Sequence, residues 1–164
     1  MSIKINYKNN LSNKKLANLV LFSDEKFNLS SLKKYVESSE YSFISDLVKT
    51  KDLKQKILTF DISSKKKIIL VSLEKNISYS KVENLGAKFY DKFKDLKQRE
   101  FVFNSDTIPN KSKRLIGYFL HGLKLKSYTF DKYKTKKNKN NLSIYIDGNN
   151  KPSLKDQIKF NAIE

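Results

Sequence analysis

Few residues in this chain could perform chemistry. The single histidine, His121, sits between the apolar positions of a helical pattern, and no carboxylate lies three or four residues from it. A Ser-His-Asp triad would have this imidazole as its only base; its surroundings instead suit a surface or interface histidine. The sequence has no cysteine, which excludes disulfides, thiol nucleophiles and Cys-ligated zinc. Carboxylates pair at Asp24-Glu25, Glu37/Glu40 and Asp91/Asp95. Asp91 and Asp95 share a helix face, but Lys88, Lys92 and Lys94 surround them. That is the spacing of solvated ion pairs, not of a two-metal carboxylate cage. Phosphate cradles need glycine, because backbone amides must approach closely. Only Gly86, Gly117, Gly122 and Gly148 are present, with no G-x-G-x-x-G and no P-loop, so a nucleotide site is not expected.

The abundant chemistry is cationic. Lys and Arg number 34 against 17 Asp and Glu, a net charge of +17. The excess is +3 over residues 1–50, +5 over 51–110 and +9 over 111–164. Lys132, Lys134, Lys136, Lys137 and Lys139 crowd into one short stretch, with Tyr128, Phe130 and Tyr133 before and among them. These five lysines and Tyr133 are the candidate contacts for an anion or nucleic acid, since lysines release counterions from phosphates and aromatic rings stack on bases. The same pattern also suits a loop anchored by its rings with its lysines in water. Arg99 and Arg114 are the only arginines, although Arg is the better fork for phosphate and guanine. Abundant Asn and Ile with little Gly, Ala and Pro also fits an AT-rich coding bias, which raises Lys without any ligand. Both readings stay open at this level.

The elements that must position these residues alternate between two periods. Residues 3–7, 16–22, 56–62, 67–73, 101–103 and 142–146 read as strands, the third and fourth forming a hairpin across Ser63-Ser64. Residues 30–36 and 41–48 read as short helices. Over 81–96, Val82, Leu85, Phe89, Phe93 and Leu96 form one apolar stripe, with Ser80 and Glu83 as a capping box and Gly86 allowing close approach to the sheet. Pro109 is expected to open a helix that buries Leu115, Ile116, Phe119, Leu120 and Leu123. Residues 128–141 lack an apolar period and read as a loop or edge. Gly148 marks a turn, and Leu154, Ile158 and Ala162 recur at helical spacing after Pro152. Alternating strands and helices predict an α/β three-layer sandwich with a mixed central sheet flanked by helices. The length of 164 residues suits one domain, burying roughly 70% of the unfolded chain's surface. Only 38% of residues are apolar, so the 11 Phe and 9 Tyr must build much of the core. No run is long and apolar enough for a membrane span, and the start lacks the apolar region of a secretory signal; a soluble, cytoplasmic protein without membrane contact is expected.

The stretch Gly117-Tyr-Phe-Leu-His-Gly-Leu-Lys-Leu-Lys-Ser-Tyr-Thr-Phe-Asp-Lys-Tyr-Lys-Thr-Lys-Lys137 resembles the last helix and following segment of the N-terminal domain of the leucine (cytosol) aminopeptidase family. There a helix ending in Gly-Leu-x-Leu runs into Ser-Tyr-x-Phe-Asp-x-Tyr-Lys-Thr-Lys. The order of the other elements is similar over essentially the whole chain. Thr129 stands where many members have Arg, and His121 where a small or acidic residue is common.

The resemblance implies a macro-domain-like fold and a parent enzyme that is a two-metal exopeptidase releasing N-terminal residues from peptides. The family's Asn-Thr-Asp-Ala-Glu-Gly-Arg motif and its Lys- and Asp-bearing glycine-rich motif are absent here, so no catalytic or metal-binding residue can be carried over. It further implies an accessory domain over 1–150 and, over 151–164, the start of a helix leading into a catalytic domain. The two divalent metals (Mn or Zn) would lie in that catalytic domain, with no cofactor in this chain. Implied partners are the protein's own C-terminal catalytic domain and a homo-hexamer in the full-length enzyme, with the isolated domain a monomer. Some bacterial members also bind DNA, which keeps the lysine-rich loop in view as a nucleic-acid-binding alternative. The macro-domain fold adds ADP-ribose recognition as a further alternative, opposed by the shortage of loop glycines.

Overall fold

The computed structural model describes residues 3–7, 18–109, 114–132 and 142–161, with the side chains of 129–132, 160 and 161 not included. Six strands form one sheet: β1 (Ile3–Asn6), β2 (Asn18–Ser23), β3 (Ile57–Asp61), β4 (Lys67–Ser72), β5 (Glu100–Asn104) and β6 (Leu142–Asp147). Their order is β1-β6-β5-β2-β4-β3. All neighbours are parallel except β3, which returns antiparallel to β4 with Ile57 opposite Val71 and Asp61 opposite Lys67. The sheet is mixed and the hairpin is present. Its turn is closed by Ser63 Oγ, which accepts from the amides of Lys65 and Lys66 at 3.2 and 3.1 Å.

The parallel strands are apolar on both faces because both are covered. Val20, Phe22, Ile69, Val71, Phe101, Phe103, Ile144 and Ile146 face helices α2 (Tyr79–Phe93) and α3 (Leu115–Lys132). Leu21, Leu58, Phe60, Ile68 and Leu70 face the opposite layer, a 3-10 helix (Ser30–Tyr35) and α1 (Ser38–Val48). A last helix, α4 (Leu154–Asn161), follows β6. The larger core is aromatic, as the composition requires. Phe89 meets Phe93 at 4.6 Å, Phe101 at 5.5 Å, Phe103 at 5.3 Å and Phe119 at 5.6 Å between ring centroids, in tilted or edge-on arrangements.

Several local expectations change. The cap of α2 is Ser78, whose extended backbone lets its side chain accept from Lys81 N; Ser80 already lies in the first turn, and Glu83 is engaged elsewhere. The reciprocal capping box belongs to α1, where Glu37 and Glu40 satisfy each other's turn. Pro109 precedes α3 instead of opening it, and α3 continues to Lys132, so residues 128–132 are helical. Gly86 approaches a helix, not the sheet. A Cβ there would sit 1.9 Å from Phe119 O, and one on Gly122 would sit 1.9 Å from Glu83 O. The two glycines let α2 and α3 touch backbone to backbone.

Candidate functional site

In a largely parallel sheet, ligands bind outside the carboxyl ends of the strands, where neighbouring connections diverge. That switch falls between β2, which connects toward β3 and β4, and β5, which connects toward β6. The chain closes it with its own groups. Asn104 Oδ1 accepts from Asp106 N at 3.0 Å, bending the chain into a tight turn after β5. The buried Thr107 Oγ1 then accepts from Phe22 N at 2.8 Å and donates to Asn104 O at 2.7 Å. One hydroxyl thus ties β2 to the loop after β5 where a crevice would open. Next to it, Ser105 Oγ donates to Asp147 O at 2.6 Å, and Asp106 Oδ1 accepts from Asn149 N at 2.9 Å. Gly148, at φ +91°, completes this turn; a side chain would be strained there and would strike Ser105 and Asp106.

Beside the closed switch lies a shallow cavity of about 390 Å³ whose lining includes Asp24, Glu25, Lys26 and Lys75. Asp24 Oδ1 already accepts from the amides of Lys26 and Asn28, at 3.1 and 3.0 Å. Two carboxylates and two lysines balance in this lining, so the cavity offers a diphosphate no net positive charge, which weighs against the ADP-ribose alternative.

Cations gather at the other end of the sheet. Lys132 ends α3; Tyr133, Lys134, Lys136, Lys137 and Lys139 lie outside the described residues. Their connection leaves α3 at Lys132 and rejoins the sheet at Leu142, next to the start of β5, where Ser143 N donates to Arg99 O at 2.9 Å. Along this same end runs a cleft of about 230 Å³ lined by Lys65, Lys66, Lys67 and Lys97, with no carboxylate in its lining. Lys66 is half-buried and pairs with Glu40 at 2.8 Å, and Lys67 pairs with Asp61. Lys65 and Lys97 are exposed. The floor is fixed by the buried Asn18, which donates to Gln98 O at 3.2 Å and accepts from Lys67 N at 3.0 Å. Sequence reasoning missed this cleft because its lysines come from two distant connections. The three consecutive lysines after Ser63-Ser64 were its only local signal.

The other singled-out residues have structural partners. His121 is half-buried between α2 and α3, with Nδ1 3.1 Å from Glu83 Oε1. Asp91 pairs with Lys94 at 3.6 Å and with Lys126 at 3.5 Å. Burial, with a smaller contribution from the charge of Lys51, holds the Lys92 ammonium below the usual lysine range, and its Nζ donates to Ile57 O at 3.2 Å. Among the described residues, no three His, Cys, Asp or Glu side chains converge as metal ligands. No helix among them is long and apolar enough to cross a membrane.

Sheet order and helix layers give a macrodomain-like α/β fold. The macrodomain of Thermus aquaticus DarG is similar in fold, with a TM-score of 0.51 at 10% sequence identity over 88% of this chain and 96% of that one. The family model described as "Cytosol aminopeptidase family, N-terminal domain" matches residues 19–137, which include the stretch 117–137. The chain belongs to this family through its N-terminal domain. Comparison with curated protein sequences finds no match.

Proposed function

We propose that this chain is the non-catalytic N-terminal domain of a two-metal leucine aminopeptidase and acts in assembly of the enzyme, substrate access or regulation. The family match over 19–137 carries the reading. The catalytic groups, and the two divalent metals that would polarise the scissile carbonyl and supply the attacking water, belong on this reading to a separate C-terminal domain. Residues 1–150 would be the accessory unit and 151–164 the lead into that domain, with hexamer assembly as its setting. Purified chain supplied with Mn²⁺ or Zn²⁺ should release no product from leucyl substrates. Metal-dependent turnover by the chain itself would overturn the reading.

A second reading is favoured by the lysine cleft at the amino ends of the strands, where Lys65 and Lys97 are exposed and no carboxylate is in the lining. There the chain would hold nucleic acid by its phosphates, with Lys132, Lys134, Lys136, Lys137, Lys139 and Tyr133 as the further candidate contacts. If about five phosphates of duplex DNA are engaged, the log–log dependence of affinity on salt should have a slope between about −4 and −5. Lys134→Glu, Lys136→Glu and Lys137→Glu together should abolish the binding. A flat salt dependence, or a triple variant that binds as wild type, would contradict it.

A further inference from the structure

A second cleft, on the face of α2 away from α3, combines charge with an apolar floor. It encloses about 230 Å³ between the open end of the β3–β4 hairpin and the first half of α2. Lys56 enters it from the start of β3 and Glu74 from just beyond β4, while Lys81 and Lys88 stand two turns apart on α2. Ile77, half-buried, and Leu85, buried, form the floor. Three ammonium groups therefore face one carboxylate. Glu74 is shared between Lys56 at 3.5 Å and Lys81 at 3.6 Å, both at the long limit of an ion pair, and Lys88 has no ion pair among the described residues. The chain's own carboxylate meets part of the demand for negative charge and leaves an excess of two positive charges over an apolar surface.

We propose that this cleft binds a small carboxylate bearing a short apolar chain. The carboxylate would accept from Lys88 and from whichever of Lys56 and Lys81 it draws away from Glu74, and the hydrocarbon would lie on Ile77 and Leu85. A few placed polar groups over an apolar floor are what a small-molecule site needs. No glycine lines the cleft to bring backbone amides against a phosphate, and the apolar floor favours an anion that carries a hydrocarbon chain. Such a ligand could be a plain carboxylic acid or a free apolar amino acid, whose ammonium would then take Glu74. The site stands apart from the proposed role of the domain, so its failure leaves the family assignment untouched.

The test is a titration of the full chain, followed by methyl NMR, with isocaproate, L-leucine and the primary amide of isocaproic acid at millimolar concentrations. Saturable shifts of the Ile77 and Leu85 methyls with either carboxylate, but not with the amide, are expected. Lys88 is exposed, so Lys88→Gln should weaken binding roughly two- to fivefold, as for loss of an exposed charge pair. Glu74→Gln separates the two sources, tightening isocaproate by removing the competing carboxylate and weakening leucine by removing the ammonium's partner. Absence of saturable shifts with both acids, equal binding of the amide, or a Lys88→Gln variant that binds as wild type would overturn the proposal.

Discussion

Tyr7 follows β1 with its hydroxyl buried and without a hydrogen-bond partner among the described residues. Burial disfavours the phenolate and pushes the pKa from 10.0 up to about 12. As pH rises, the unfolded chain releases this proton near 10 while the folded chain keeps it until about 12. The stability linked to the group is complete below pH 10.0 and is lost as pH climbs through about 12. Tyr7→Phe should therefore lose less stability than wild type across that interval, read as the denaturant midpoint of both proteins at each pH. Parallel curves would show that the hydroxyl plays no part. A buried hydroxyl without a partner could not be anticipated from the sequence, where Tyr7 is only the end of an alternating strand. Thr107 is a similar case: turn chemistry around Asn104 was legible, but its bond to Phe22 N spans 85 positions.

Between elements, the crossing of α2 and α3 sets the architecture of the larger core. Gly86 and Gly122 bring the two backbones together, and the aromatic cluster around Phe89 fills the space between the helices and the sheet. Alanine at either glycine would place a Cβ 1.9 Å from a carbonyl oxygen of the facing helix. The backbone can yield only by separating the helices, so Gly86→Ala and Gly122→Ala should each cost about 1–3 kcal/mol or more, measured by chemical denaturation. A double variant should cost less than the sum, because both changes relieve themselves by the same separation. Wild-type midpoints in the single variants would contradict the close crossing. The apolar stripe of α2 was legible from its period, and Gly86 within it marked a close approach. Which neighbour was approached was not, because one helix's spacing does not say whether a glycine faces a sheet or another helix. The end of α3 was hidden for a related reason: residues 128–132 have no apolar period, yet the helix's backbone ladder carries through them.

Over the whole molecule, strand order decides where charge ends up. The order β1-β6-β5-β2-β4-β3 brings the Lys65–Lys67 turn, Lys97 and the ends of the Lys132-bearing connection to one end of the sheet. Counting charge along the chain found the excess over 111–164 but could not join it to lysines near the middle. The fold class was legible because alternating strand and helix periods with one hairpin leave few architectures. The family was legible in the 117–137 stretch, which lies within the matched residues 19–137. The same topology leaves Leu154 and Ile158 of α4 77% and 73% exposed, although their spacing is that of a buried stripe. On the proposed reading, this apolar face lies on the segment that leads into the catalytic domain.

The central claim, that the chain is one domain of a larger metallopeptidase, is tested most directly by the intact mass and sequence of the natural polypeptide in its own cells. A mass well above 19.2 kDa is expected, with a segment after Glu164 bearing the family's two metal-binding motifs. A natural polypeptide of 19.2 kDa, or a longer one without those motifs, would contradict it.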